Sequence, residues 1–430
     1  MLEKNWGPAA VFAVTVIPAL LWSAMLPWSQ RFSDFTNSLT SLAQLAGLTG
    51  MALFTVVLIL GARMSFFEDY FGGLSRMYVI HHLLGGTALV LLLLHPVLSA
   101  VKLLPFSIRD AALSVWPAAS LPIALGWLAL GLMIILLVLT FYFRPGYQLW
   151  KFTHKFLGLA FFLAGLHILL MPSDISRNIW LRGYMLALVV SALVFFVYHS
   201  VLNKHRKYVY EVKGVLGING SIFRVLMTAR GERMPYYPGQ FAWFSFVGTG
   251  ALAEAHPFSM SSHPAEKILA VTVKNLGNFT SQLRQVRPGT LVRVQGPYGR
   301  FWPRNVDAKR QVWIAGGIGI TPFISMAKQM RYGGEKAPVV DLFYATRNKD
   351  DAIALTDALA GTSGSLRVFN WFSDTYGRIT VARIREILSE DLPGKSFFLC
   401  GPLPMMASLR RQLREVGVAA KDIYSEEFEL

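Results

Sequence analysis

Cysteine is nearly absent from this 430-residue chain, and charge is scarce. The lone thiol, Cys400, excludes an internal disulfide, a cysteine-built zinc site and any cysteine-ligated cluster. Charged residues make up 15% against 53% hydrophobic, too apolar a balance for a soluble protein of this length. The shortage is uneven. Residues 1–203 hold nearly all the long uncharged runs, and those runs contain no carboxylate. No aromatic-and-basic platform for single-stranded nucleic acid is visible, so nucleic acid is not needed to explain the net charge of +16. Membrane orientation, anionic lipid and a phosphorylated small molecule account for it.

What is present is a series of apolar runs: Pro8–Trp28, Thr40–Ala62, Met77–Val101, Ala111–Phe143, Phe156–Ser173 and Gly183–Asn203. Each is long enough to cross a bilayer as a helix. The fourth span is expected to begin after Pro117 or Pro122. The first run is too long for a signal peptide and lacks a small-residue cleavage site, so it reads as an anchor. Six spans put both ends on one side. With the N-terminus inside, nine Lys and Arg flank the inner ends and five the outer, which the positive-inside rule favours. Everything beyond the basic linker Asn203-Lys204-His205-Arg206-Lys207 is then cytoplasmic.

Met77–Val101 holds no Asp, Glu, Lys or Arg, yet it carries His81, His82 and His95. An imidazole at membrane depth is expensive unless something uses it. The 14-residue step from His81 to His95 keeps the rings within about 40° of one face and roughly 21 Å apart along the axis. The fifth run repeats the arrangement. His154-Lys155-Phe156-Leu157-Gly158 echoes His81-His82-Leu83-Leu84-Gly85, and His167 follows 13 residues after His154. Two such helices could clamp two stacked haems, one ring from each helix per iron. Gly85, Gly86 and Gly158 would admit the flat macrocycle. No Cys-x-x-Cys-His is present, so the haems would be non-covalent, of b type. Buried histidines bonded to neighbouring helices are the bland alternative, and two matched pairs weigh against it. A 13-residue step turns His154 and His167 about 140° apart on an ideal helix, so the fifth span should be bent or distorted. His82 also lies 13 residues before His95 and rivals His81, although the shared His-x-x-Leu-Gly pattern favours His81.

Beyond the linker, alternating segments at Tyr208–Val212, Ser221–Met227, Gln240–Phe246, Leu269–Lys274 and Leu291–Val294 predict a small antiparallel barrel. Strand–helix alternation then takes over. Val312–Ala315 precedes Pro322–Met330, Val339–Ala345 precedes Asp351–Ala360, and Phe397–Cys400 precedes Met405–Val416. That order predicts a parallel sheet with crossover helices. The expected fold class is a multi-domain membrane protein. Its parts are a six-helix transmembrane bundle (1–203), an antiparallel β-barrel domain (204–307) and an α/β parallel-sheet domain (308–430).

The barrel carries Tyr237-Pro238-Gly239-Gln240-Phe241 and His256-Pro257-Phe258-Ser259. The sheet domain opens with Gly316-Gly317-Ile318-Gly319-Ile320-Thr321-Pro322, continues to Leu399-Cys400-Gly401-Pro402, and is followed by Glu426-Glu427-Phe428. In this order the motifs resemble the flavin and nicotinamide domains of the ferredoxin–NADP reductase family. Joined to a four-histidine membrane domain, the chain resembles the NADPH oxidase and ferric reductase family of transmembrane flavocytochromes b.

The resemblance implies FAD against His256, Pro257, Phe258 and Ser259, with Ser259 near flavin N5. The FAD pyrophosphate would lie on the amides of Gly277, Asn278, Phe279, Thr280 and Ser281, where a glycine turn opens a short helix. Arg293 is a weaker candidate there. NADPH would lie across Gly316, Gly317 and Gly319, with Thr321 and Pro322 opening the helix. Arg347 follows its strand without a neighbouring acid, so it or Arg378 could fork onto the 2′-phosphate and favour NADPH over NADH. Cys400, Gly401 and Pro402 would border the nicotinamide, and Phe428 matches the C-terminal aromatic that stacks on flavin in relatives. Phe428, Cys400 and Ser259 are therefore the catalytic candidates. His81, His95, His154 and His167 would be the axial ligands of two haem b irons.

By the same resemblance, electrons leave NADPH for an acceptor across the lipid bilayer. That acceptor is O2 giving superoxide, a ferric chelate, or an extracytoplasmic partner protein. Eukaryotic oxidases of the family carry a further histidine where this chain has Ser99. They also carry an arginine in the second span, and Thr40–Ala62 has none.

Overall fold

The computed structural model describes residues 6–143, 146–198, 208–248, 250–301, 310–330, 338–355 and 365–426. The chain divides into two compact units between residues 205 and 206. The expected linker at 203–207, Phe428 and most of the expected helix Asp351–Ala360 lie outside the described residues.

The N-terminal unit is helical: α1 Gly7–Ser23, α2 Phe35–Gly61, α3 Leu74–Val101, α4 Leu121–Val138, α5 Tyr147–His154, α6 Leu157–Leu170 and α7 Ile179–Val197. Among the described residues, five spans are long and apolar enough to cross a membrane, with α4 extended by a π turn to Phe143 and α5–α6 taken together. At 17 residues α1 is apolar but shorter, so length and composition identify five spans where six were expected. Local chemistry sets the helix starts. Asp34 caps α2 by accepting from the Asn37 amide. Ser120 caps α4, and Pro122 occupies its first turn, where no N–H is required. The fifth span is broken as the 13-residue step demands: α5 ends at His154, and α6 begins only at Leu157. Met51, Ala52 and Phe54 of α2 pack with Ala160 and Phe161 of α6 and Met185 of α7 in one core. The Phe54 and Phe161 rings meet edge to face at 5.2 Å.

The C-terminal unit contains two sheets. Strands β1 Tyr208–Gly217, β2 Ile222–Ala229, β3 Phe241–Phe246, β4 His256–Ser259, β5 Ile268–Lys274 and β6 Leu291–Tyr298 form an antiparallel sheet of order β4-β3-β6-β1-β2-β5. The five expected strands are all there, and β4, which carries His256-Pro257-Phe258-Ser259, is added at the edge.

The second sheet is parallel, of order β11-β10-β7-β8-β9. It comprises β7 Arg310–Gly316, β8 Val339–Thr346, β9 Leu366–Phe372, β10 Ser396–Cys400 and β11 Ile423–Glu426. Along β7, Val312 and Ile314 join the core under helices Val381–Leu388 and Leu403–Glu415. Trp313 and Ala315 join the core on the other face, with Phe323 and Ile324 of helix Thr321–Met330. Burial on both faces explains why β7 reads as a continuous apolar run. From β7 the chain winds one way to β8 and β9 and the other way to β10 and β11. The crevice between the carboxyl ends of β7 and β10 is therefore where such sheets bind ligands.

Candidate functional site

The membrane-unit histidines form two pairs. The His81 and His154 ring centres are 6.3 Å apart, as are those of His95 and His167. Two metal–imidazole bonds of about 2.0–2.1 Å, each with a ring centre about 1.1 Å behind its nitrogen, sum to roughly that distance. His82 is exposed and stands edge-on to His81.

Three of the other ring nitrogens are engaged. Nδ1 of His81 bonds the Val57 carbonyl (3.0 Å), Nδ1 of His95 that of Ala43 (2.7 Å), and Nδ1 of His167 that of Pro122 (2.7 Å). A carbonyl only accepts, so each Nδ1 carries the proton and leaves Nε2 as a lone pair. Metal-binding histidines are oriented in this way. Nδ1 of His154 is buried without a hydrogen-bond partner among the described residues, an orphaned polar atom at the same site. Each pair offers two imidazoles, the donor set of an iron whose four remaining positions a macrocycle fills. The residues fit a haem.

Small residues make room for the rings. A Cβ on Gly47 would stand 3.0 Å from His95 Nδ1, and one on Gly126 would stand 2.9 Å from His167 Nδ1. A cavity of about 340 Å³ surrounds this pair and is lined mainly by apolar side chains, with Gln44, Ser99, Lys102 and Asp174 among them. The glycines singled out from the sequence differ among themselves. Gly158 is required by the Phe196 ring, which a Cβ would approach to 2.4 Å, while Gly86 faces open space and Gly85 barely touches Val57. Gly47 and Gly126, carried by neighbouring helices, were missed.

In the antiparallel sheet, His256 lies against Phe279 with ring centres 3.7 Å apart, and Phe258 stacks on the same ring at 6.2 Å. Strand β4 is thereby tied to the turn at Gly277. Ser259 is buried, and its Oγ has no hydrogen-bond partner among the described residues. An orphaned buried hydroxyl at this strand end fits a polar ring edge such as flavin N5. In helix Asn278–Leu283, Thr280 Oγ1 accepts from the amides of Leu276 and Gly277. The Gly277 N–H is thus engaged, and the Ser281 amide bonds the Gly277 carbonyl. The first-turn amides of Asn278, Phe279 and Thr280 are the ones a helix start leaves open. Arg293 is exposed on β6.

At the crevice of the parallel sheet, two loops pack backbone to backbone. A Cβ on Gly319 would lie 2.4 Å from the Cys400 carbonyl oxygen, and one on Gly316 would lie 2.6 Å from Met405. These glycines serve loop packing. Gly317, at φ +53° with nothing within 4 Å of a Cβ, is the one that faces open space. Gly319→Ala should therefore destabilise the full-length protein by about 1–3 kcal/mol, as overpacking does. A denaturant midpoint equal to that of the native protein would contradict this.

Helix Thr321–Met330, which carries Pro322, is fastened to the barrel. Ser325 Oγ donates to the Ser262 carbonyl (2.6 Å), Lys328 pairs with Glu266 (2.9 Å), and His263 Nε2 meets Gln329 Oε1 (2.7 Å). Cys400 is fully buried, with Gly401 and Pro402 after it; burial pushes its thiol pKa well up, with the Glu426 carboxylate adding to the effect. Glu426 stands opposite Cys400 in the β10–β11 register and was not singled out from the sequence. Arg347 is 77% exposed and lies 3.5 Å from Asp374. Residues far apart in the chain thus place an acid beside it, contrary to the sequence reading. Arg378 is exposed.

A membrane-embedded pair of bis-imidazole sites followed by a flavin-type barrel and a nicotinamide-type sheet defines an electron-transfer oxidoreductase. The comparisons agree. Family models described as "Ferric reductase like transmembrane component", "FAD-binding domain" and "Oxidoreductase NAD-binding domain" match residues 46–165, 209–301 and 313–411. In this order they match a ferric-reductase-like membrane part, an FAD-binding part and an NAD-binding part. Among curated proteins it is 30% identical over 204 residues to the ferredoxin reductase component of 3-ketosteroid-9-alpha-monooxygenase of Mycolicibacterium smegmatis (46% of this chain, 57% of that protein). It is 29% identical over 175 residues to NADH-cytochrome b5 reductase 1 of Ajellomyces capsulatus (37% and 56%). The match thus spans little more than half the length of these relatives. A solved flavohemoglobin from Malassezia yamatoensis has a similar fold, at TM-score 0.52 and 16% identity, covering 100% of this chain and 99% of that one.

Proposed function

We propose that the protein carries electrons from cytoplasmic NADPH through FAD and two b-type haems to a small acceptor on the far side of the cell membrane, with O2 reduced to superoxide. The observation that carries this reading is the pair of 6.3 Å imidazole couples, with the Nδ1 protons of His81, His95 and His167 turned away onto backbone carbonyls. FAD, when bound, accepts the two electrons of a hydride together and releases them singly, and each haem iron carries one. NADPH thus supplies two electrons, one for each of two O2 molecules.

The chain's own residues would do the positioning. His81 and His154 hold one group, and His95 and His167 the other, α3 placing the two sites along the membrane normal. Ser259 presents its unpaired hydroxyl to the flavin edge. Cys400, buried and protonated, together with Gly401 and Pro402, shapes the nicotinamide end of the crevice. In this reading α1 is the first of six spans, and the C-terminal unit is cytoplasmic.

The second reading is reduction of a ferric chelate. It is favoured by Ser99, whose hydroxyl donates to the His95 carbonyl (2.8 Å) at the place where eukaryotic oxidases carry a histidine. Purified protein given NADPH under air, with superoxide detection, decides between the two. Superoxide formed at twice the rate of NADPH oxidation supports the oxidase, and turnover that requires an added ferric chelate supports the reductase.

On the nucleotide side, Arg347→Ala should raise KM for NADPH about tenfold, the loss of roughly one charged contact, and leave NADH nearly unaffected. Equal changes for both nucleotides would mean that Arg347, with Asp374 beside it, serves no 2′-phosphate.

A further inference from the structure

Two basic side chains near the histidine pairs stand at opposite ends of α3. Arg63 follows the end of α2 and is half-buried. It is a non-glycine residue in the left-handed region, at φ 51°. Helices that end in that conformation usually place glycine at this position. A strained residue kept there points to a use for its side chain. Its guanidinium lies 5.3 Å from the Tyr78 ring centre, and Tyr78 is one turn before His81 on α3. Two residues before Arg63, Gly61 faces His81, whose Cε1 would be 3.5 Å from a Cβ there.

Lys102 is the counterpart. It follows His95 by seven residues, about two turns and about 10.5 Å along nearly the same face. It is half-buried and lines the cavity around His95 and His167. Its ammonium has no ion-pair partner among the described residues. The acid in the same cavity wall, Asp174, is already engaged by Arg31 at 3.2 Å.

We propose that Arg63 and Lys102 bind the carboxylate edges of the two groups held by the histidine pairs, Arg63 at His81–His154 and Lys102 at His95–His167. The inference rests on the haem reading above. A b-type haem carries two carboxylates on one edge and needs a cation or water for them inside a membrane. The two cations then set opposite orientations, each acidic edge pointing to its own end of α3. A nearby cation also favours the reduced iron, which carries one positive charge fewer, so each residue raises the potential of its own site.

The test is a redox titration of haem absorbance with haem stoichiometry, on the full-length purified protein. Lys102→Met should lower the midpoint potential of one haem by about 59 mV, the one-electron equivalent of a tenfold shift in its reduction equilibrium. The haem affected should be the one missing from His95→Leu. Arg63→Gly removes the other cation and relieves the backbone strain, so it should shift only the haem that survives in His95→Leu without loss of folding. Lys102→Arg and Arg63→Lys should restore the native potentials. Two native-like haems with unmoved potentials in both variants would overturn the inference and leave the haem reading standing. So would a Lys102→Met protein whose potentials are native while KM for ferric citrate rises, since Lys102 would then serve the acceptor. Native protein that purifies without haem would overturn both readings.

Discussion

His167→Leu should yield a protein that binds one haem in place of two and no longer reduces any acceptor across the membrane. His95→Leu should do the same, since either substitution leaves one imidazole where two are required. The groups that merely orient a metal ligand are worth 10–100-fold in affinity, so losing the ligand itself should exceed about 100-fold. The His81–His154 couple shares no carbonyl with the other pair, because Val57 supports one and Ala43 and Pro122 the other. Its haem should therefore persist with an unchanged spectrum, and the flavin should still be reduced by NADPH. Pyridine haemochrome stoichiometry and low-temperature spectra report both results. Two haems in each variant would remove His95 and His167 from the ligand set.

The largest stability effect should come from Arg31. Its side chain is 3% exposed, it pairs with Asp174 (14% exposed) at 3.2 Å, and its guanidinium lies 3.5 Å over the Trp22 ring. Its Nη2 donates to the Trp22 carbonyl, and Ser41 Oγ donates to the Arg31 carbonyl. The pair ties the segment just after α6 to the corner between α1 and α2, beside the cavity of His95 and His167. Arg31→Met should destabilise the membrane unit by about 3–5 kcal/mol, because a buried carboxylate is left without its partner. Adding Asp174→Asn should recover part of that loss. Unfolding midpoints in detergent measure both, and a single variant within about 1 kcal/mol of native would show that the pair is solvated and weak.

The histidine pairs were legible because their signal is local. The helical period aligns His81 with His95, the His-x-x-Leu-Gly repeat marks the partner span, and the awkward 13-residue step foretold the break after His154. What supports those ligands was not legible. Val57, Ala43 and Pro122 act through carbonyls, which carry no residue signature, and Gly47 and Gly126 belong to other helices. The parallel sheet was legible in β7, β8 and β10, whose two buried faces make unbroken apolar runs. Strand β9 (Leu366–Phe372) was missed because polar residues interrupt it and only Leu366 and Trp371 are fully buried. Asp374 reaches Arg347 only through the pairing of β8 with β9, a tertiary fact that no window around either residue contains.

The central claim is that electrons cross the membrane, and charge movement tests it most directly. The apolar runs hold no carboxylate to carry a compensating proton, so turnover should move negative charge alone. Each electron then gains or loses up to about 2.3 kcal/mol per 100 mV. In sealed vesicles with the nucleotide-binding unit outward and acceptor inside, NADPH should make the lumen negative, and a protonophore should speed turnover by collapsing that potential. NADPH oxidation that develops no potential and ignores the protonophore would mean that the acceptor is reduced on the nucleotide side, without a transmembrane path through the two histidine pairs.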